Sequence, residues 1–373
     1  GVSDDQIASG WMFRNADKAA NIKEEDSETP WLTQKTIEFI DQAEGPWMAH
    51  VSYIKPHWPY IVPAPYHNMF GANHVPAALR HEVERQDPHP VYGAYMGNKI
   101  ASAFQRDEVR DKVIPAYMGL IKQCDDQLGC LLDHLDETGR MADTMVVLTS
   151  DHGDYLGDHW LGEKDLFHEA SVKVPLIIYD PRLQASSTRG TTCDALVESI
   201  DLAATFVDAA GGTVPEHILE GKSLLPWLWG QKPSWRSYVI SEFDYSATPQ
   251  AAKLGLELRD ARLFMVFDGR YKMMHAEGGM RPMLFDLHED PEEFYDLAKG
   301  SDHQNVIDKL YKNLHHWGLR LSQRVTKSDN DILAMRGRSL KRGILPFLVD
   351  GSEVPDELIE KYIGPIRQDY IKD

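Results

Sequence analysis

Cysteine is scarce. The chain holds three, Cys124, Cys130 and Cys193, without paired spacing, which excludes a disulfide framework and suits a reduced, cytoplasmic protein. Positive charge is also short: 39 Lys and Arg face 58 Asp and Glu, a balance of −19. Such a chain is not built to coat nucleic acid or an anionic membrane, and neither is expected as a partner. A small anionic substrate stays open, because a metal and a few cations reverse the field within one site. No run of about 18 apolar residues occurs, so no membrane-spanning helix is predicted. No signal peptide is visible, although Gly1 is not an initiator Met. Internal repeats and low-complexity segments are lacking too.

What is present alternates between strand and helix signals. The 373 residues suffice for one large α/β domain and a smaller one. Thr29-Pro30 reads as N-cap and first turn of a helix ending before Gly45. Residues 47–54, "WMAHVSYI", read as a buried strand, and the prolines of "KPHWPY" forbid regular structure after it. Residues 71–108 look like an excursion over the surface. Pro115 is read as opening a long helix with an apolar stripe at Ile114, Met118, Ile121, Leu128, Leu132 and Leu135, capped by Gly139. "MVVLTS" reads as a parallel strand covered on both faces, "VPLIIYD" as another, and "ALVESIDLAATFVDAAGG" as a helix. From about Pro233 the pattern turns antiparallel: "SYVISEF", "ARLFMVFDGRYKMMH" and "MLFDL", with a turn at Asp268-Gly269. A helix follows over about 305–324. The division expected is a main domain over 1–230, an α+β subdomain over 231–330 and a tail over 331–373. The apolar parts of that tail ("GILPFLV", "YIGPI") suggest an oligomerisation arm, hence a homo-oligomer.

One stretch concentrates ionisable groups: "VVLTSDHGDYLGDHWLGEK", residues 146–164. In doubly wound sheets ligands bind beyond the carboxyl ends of the strands, where Asp151-His152-Gly153 falls. A carboxylate and an imidazole make half of a divalent-metal site, and Gly153 lets the backbone bend. Taken alone, D-H-G reads more readily as Asp151 capping the next turn and His152 bonding locally.

The wider string decides. "CDDQLGCLLDHLDETG", "TMVVLTSDHGDYLGDHWLGEK" and "VKVPLIIYDP" closely resemble the sulfatase branch of the alkaline phosphatase superfamily. "KPHWPY", "LVESIDLAATFVDAAGG", "EGKSLLP" and "MLFDLHEDPEEFYDLA" follow in that family's order. "EKDLFHEASVKVPLIIYDP" is most similar to phosphonate monoester hydrolases and their arylsulfatase relatives. The resemblance implies an alkaline-phosphatase-like α/β fold: a mixed, mostly parallel sheet between helices, with a smaller C-terminal antiparallel-sheet and helix subdomain. It implies Asp151 and His152 as metal ligands. Lys164, thirteen residues after Asp151, would bind an oxygen of the transferred group, and His57 would face the leaving group or a substrate oxygen. Asp154, Asp158, His159 and Glu163 suit supporting or loop-capping roles at least as well as direct contact. For Asp125 a helix–loop hydrogen bond is an equal reading.

One family feature is missing. The nucleophile sits in a C-x-P-S-R or C-x-A-S-R type motif, its Cys oxidised to formylglycine, and none of the three cysteines fits. The expectation is a chain beginning inside the family's domain, without roughly its first third, the nucleophile lying elsewhere. The reading that follows is a metal-dependent hydrolase of phosphonate, phosphate or sulfate esters, in which a metal-activated formylglycine attacks phosphorus or sulfur. The metal would be one divalent ion, Mn²⁺ favoured over Ca²⁺ by the His ligand, with Zn²⁺ and Fe²⁺ as further options. A non-catalytic binding or assembly module, and a phosphatase or phosphomutase with a Ser or Thr nucleophile, are the alternatives.

Overall fold

The computed structural model describes residues 13, 15–215, 219–319 and 333–334. Before the first strand run α1 (Glu28–Gln42), α2 (Pro90–Met96), α3 (Lys99–Phe104) and α4 (Asp107–Glu137). Helix α1 starts two residues earlier than the Thr29-Pro30 signal suggests, with Ser27 at its N-cap. Pro115 lies inside α4, not at its start. A proline there costs ~3 kcal/mol. Burial of Val113, Ile114 and Leu120 around it offsets that, at about 1.5–3 kcal/mol for each large apolar side chain. Gly139 follows α4 in the left-handed region, at φ 71°, where a residue without Cβ fits best. Of the expected stripe, Ile121 is exposed.

The surface excursion over 71–108 is partly core. His89 and Asn98 cap α2 and α3, their side chains accepting from the backbone N–H of Val91 and Ala101. These two short helices bury Tyr92, Tyr95 and Phe104. Sequence reading missed both caps because charge and proline masked them.

Strand β1 (Val146–Thr149) and β2 (Leu176–Tyr179) pair antiparallel, Val146 opposite Tyr179 and Thr149 opposite Leu176. The parallel pairing and double covering expected of "MVVLTS" are absent among the described residues. Leu148, Ile177 and Tyr179 are exposed, Ile177 at 62%. Residues 47–54 form no strand, because among the described residues no strand lies beside them. Tyr53 shares a 2.6 Å hydrogen bond with Thr33 of α1 instead.

After β1 come the short helix α5 (Glu169–Val172), then past β2 α6 (Ile200–Ala209) and α7 (Leu225–Leu228). Strand β3 (Val239–Asp244) leads into α8 (Pro249–Lys253). The antiparallel sheet continues with β4 (Arg262–Phe267), β5 (Tyr271–Ala276) and β6 (Met283–Asp286) in sequence order. The turn at Asp268-Gly269 is as the sequence indicates, with Gly269 at φ 91°. Helix α9 (Gln304–Gly318) covers one face of the sheet. The tail over 331–373 lies outside the described residues, apart from 333–334.

The two-residue period of the strands decides what this sheet does. Val266, Met273 and Leu284 point to Ile307 and Leu310 of α9. Leu263, Met265, Met274 and Phe285 point the other way, onto Tyr92, Tyr155, Leu166 and Phe167. The second face therefore packs on the segment that follows Asp151-His152.

Lys272 shares that face with Met274. It is 1% exposed and forms ion pairs with Glu169 at 2.6 Å and Glu293 at 2.8 Å. Glu293 in turn accepts from the backbone N–H of Glu169 at 2.7 Å. Lys272→Met should destabilise the fold by about 3–5 kcal/mol, the usual consequence of stranding buried charge. Chemical denaturation measures it, and a loss below about 1 kcal/mol would show the trio to be energetically idle.

Candidate active site

Beyond Thr149 the chain leaves the β1–β2 ladder and knots itself locally. Ser150 Oγ donates to the His152 carbonyl at 2.7 Å, and the His152 N–H donates to Asp151 Oδ1 at 3.0 Å. His152 Nδ1 donates to the Gly153 carbonyl at 2.7 Å. A carbonyl can only accept, so the proton sits on Nδ1 and the Nε2 lone pair faces outward. Lys164 donates to that Nε2 at 2.8 Å. Asp151 Oδ2 lies 3.5 Å from the same nitrogen, its side chain 86% exposed. The His57 ring stands edge-on to that of His152, centroids 6.2 Å apart. His57 Nδ1 donates to the Trp58 carbonyl at 2.8 Å, which leaves Nε2 as its reactive edge. The structure thus brings together all four residues singled out by sequence: His57, Asp151, His152 and Lys164.

Gly153 serves close approach more than bending. Its N–H donates to the Ser171 carbonyl at 2.7 Å, and a Cβ there would come within 2.0 Å of the Ala170 oxygen. Asp154 is a half-buried strut. Tyr60 donates to its Oδ2 at 2.7 Å and the Leu156 N–H to its Oδ1 at 3.1 Å. Burial pushes its carboxyl up, while Tyr60, His152 and His57 pull it down. Tyr60, which sequence reading passed over, thereby ties the "KPHWPY" loop to the loop after β1. Burial also pushes Glu163 up to about 7, helped by Asp154 and Asp165.

Asp158 Oδ1 accepts from the Leu79 N–H at 2.9 Å, a loop-capping bond. His159 turns away into the interior and donates to Glu84 at 2.7 Å. Its ring stacks on His168, centroids 3.8 Å apart and planes within 5°. Asp125 is an exposed helix residue 3.7 Å from Lys122. Cys124 sits on α4 with its thiol pushed up to about 11 by burial, the wrong direction for a nucleophile. Cys130 and Cys193 are exposed elsewhere.

Around this loop, among the described residues, metal-ligating atoms gather in two places. At the strand end, the outward Nε2 of His152 and the exposed carboxylate of Asp151 lie close enough for one ion to touch both, and nitrogen plus oxygen suits a divalent metal. Glu84, His159 and His168 form the second set, with ligand atoms within 4.8 Å of one another. There the imidazole planes are parallel, so their in-plane lone pairs do not converge on one point. The first set fits an ion once the Lys164 ammonium, which occupies the Nε2 lone pair here, stands off that nitrogen; the second, in this geometry, does not.

A carboxylate, two imidazoles and an amine converge beyond a strand end, and comparison with known proteins names the family. The sulfatase family model matches residues 7–212, and the model of the N-sulphoglucosamine sulphohydrolase C-terminal region matches 157–319. The chain belongs to the sulfatase family. It is 32% identical over 327 residues to the multifunctional alkaline phosphatase superfamily protein PehA of Trinickia caryophylli, covering 83% of this chain and 62% of that one. To an arylsulfatase of Clostridium perfringens it is 26% identical, covering 77% and 56%. The fold is that of the phosphonate monoester hydrolase of Silicibacter pomeroyi: TM-score 0.75 and 30% identity over 83% of this chain and 64% of that one. The enzyme of Agrobacterium radiobacter gives 0.74 and 31%, over 82% and 63%. The alkaline-phosphatase-like architecture expected from sequence is therefore the family's own, and this chain spans less than two thirds of those relatives' length.

The buried histidine gives the site loop an acid limit. Burial holds His168 well below the ordinary imidazole range, with His159 and Lys272 adding to it. The unfolded chain then binds the extra proton more readily, so stability falls as pH drops below about 6.5, by at most about 1.4 kcal/mol per pH unit. The raised carboxyls of Asp154 and Glu163 act in the opposite sense, their burial penalty easing as pH falls. Comparing His168→Gln with wild type isolates the histidine: the variant's stability, from urea melts between pH 7 and 5, should decline less steeply. Parallel slopes would reject this assignment.

Proposed function

We propose that these residues form part of a metal-dependent hydrolase acting on small anionic phosphonate, phosphate or sulfate esters. The observation carrying this reading is the Lys164 amine placed at the outward nitrogen of His152, with Asp151 and His57 beside it. Asp151 and His152 would hold a divalent ion, with Mn²⁺ the favoured identity. Bound there, the ion would supply positive charge to the oxygens of the transferred group and acidify what it binds.

The chain's own residues do the rest. Lys164 stands where a non-bridging oxygen gathers charge as the phosphoryl or sulfuryl group is transferred, and a fixed cation in a partly dry site stabilises that charge. His57, its Nδ1 proton already given to the Trp58 carbonyl, presents Nε2 to the leaving oxygen, and would protonate it only from the imidazolium form, in which Nε2 carries the proton transferred and the ring returns to neutral. Tyr60 and Asp154 hold the two loops in register. The nucleophile, formylglycine by family resemblance, would come from outside these 373 residues, since none of the three cysteines stands in the family's C-x-P-S-R or C-x-A-S-R type motif. Members of the family named for sulfate esters and for phosphonate monoesters both resemble this chain, so both substrate types belong in the assay.

The full-length protein should hydrolyse an aryl phosphonate or an aryl sulfate, and turnover of neither would overturn the reading. Asp151→Asn should lower bound metal, read by elemental analysis, together with turnover; unchanged metal content would remove Asp151 from the ligand set. Lys164→Ala should lower kcat by ~10²–10³ with metal and fold retained. Wild-type rates would make Lys164 an ordinary charge.

A further inference from the structure

The backbone that presents Lys164 is strained. Leu156, His159, Trp160, Glu163 and Asp165 all adopt positive φ, between 47° and 98°, around Gly157 at 104°. Residues with a Cβ resist this region, and a series of them persists only where the surroundings over-determine the conformation. The surroundings here are a second, distant segment, residues 76–85. Leu79 grips the loop with both backbone groups: its N–H donates to Asp158 Oδ1 at 2.9 Å, and its carbonyl accepts from the His159 N–H at 2.7 Å. Glu84 takes the His159 ring at 2.7 Å, with both side chains no more than 6% exposed. Its other oxygen accepts from the His81 N–H at 2.7 Å. The His81 carbonyl accepts from the Trp160 indole at 3.0 Å. Arg80 and Arg85 each lie over that indole, 4.7 and 4.6 Å from its centre. The buried Arg110 of α4 closes the arrangement, donating to the carbonyls of Leu156 and Pro76.

We propose that residues 76–85 are a strap that fixes the Lys164 loop in its strained conformation, with Glu84 as the positioning residue. Glu84 acts through His159, touching neither substrate nor metal ligand. The strap holds the ammonium at its station beside His152, where a displacement of about 1 Å would cost ~10²-fold in rate. The parallel stacking of His159 on His168 agrees with an organic clasp between Glu84 and the interior, because it denies the trio a shared ion. The catalytic part of this inference rests on the hydrolase reading above; the mechanical part does not.

The test uses full-length protein carrying Glu84→Ala or Glu84→Gln, with two readouts. Hydrogen exchange across 154–168 should quicken at least about tenfold in Glu84→Ala, while β4 and β5 keep their wild-type protection. Unchanged exchange over 154–168 overturns the strap, whether or not any ester is hydrolysed. On the substrate that wild type turns over, Glu84→Ala should lower kcat by about 10–100-fold with bound metal unchanged. Glu84→Gln, which still offers His159 an acceptor, should recover part of the loss. Loosened exchange with undiminished kcat overturns the positioning of Lys164. If Glu84→Ala loses protection throughout, Glu84→Gln decides, since a local loosening is expected there too and its absence overturns the strap. Failure of wild type to hydrolyse any ester sinks the function reading and leaves the exchange result to judge the strap.

Discussion

The orientation of one imidazole governs the candidate site. With Nδ1 committed to the carbonyl of the next residue, His152 has a single nitrogen left to offer, and its direction follows from the backbone of Ser150 to Gly153. That backbone is set in turn by Gly153 lying against Ala170 and Ser171, too close for any side chain. The strand that ends at Thr149 and the helix that begins at Glu169 thereby aim a lone pair. Lys164 meets it because the intervening loop is folded back on itself.

Holding that loop is a task for the whole interior. Its inner side rests on the C-terminal sheet through Tyr155, Leu166 and Phe167. A buried polar layer runs beside this packing, from Glu84 through the stacked pair of His159 and His168 to Tyr155, with Lys272, Glu169 and Glu293 beyond. Tyr155 donates to His168 Nδ1 at 3.1 Å and accepts from the His168 backbone N–H at 3.2 Å, which suits a neutral buried ring. Groups of this kind are costly when unpaired and directional when paired. Apolar surface supplies the attraction between sheet and loop, and the polar layer selects one arrangement of them. The sheet's place in function is mechanical: it is the floor on which the Lys164 loop is built.

The family's fold was legible in the sequence, and so was the proximity of four candidate residues; the local pairings around them were not. Asp151, His152, Lys164 and His57 stood out because ionisable groups clustered after an apolar strand and beside fixed prolines, and family resemblance gave them roles. The antiparallel strands were readable from alternation and from Asp268-Gly269. Other features depended on neighbours far away in sequence. Pro115 looked like a helix start until the burial of Val113 and Leu120 outweighed its missing hydrogen bond. Residues 47–54 have strand composition but no strand beside them among the described residues, and "MVVLTS" pairs antiparallel for want of a parallel neighbour there. Tyr60, Glu84, His168 and Lys272 gave no local signal, since each matters only through a partner remote in the chain.

The bond between Gly153 and Ser171 has a consequence for how this protein can vary. It pinches the chain at both ends of one lobe, so everything between hangs from a fixed neck. Changes of residue inside the lobe can alter where the amine points and which anion it suits while leaving the strands undisturbed. Changes of length cannot be absorbed at the neck and must emerge at the rim, moving the amine away from the imidazole. Diversification here should proceed by exchange of side chains, and insertions should gather elsewhere.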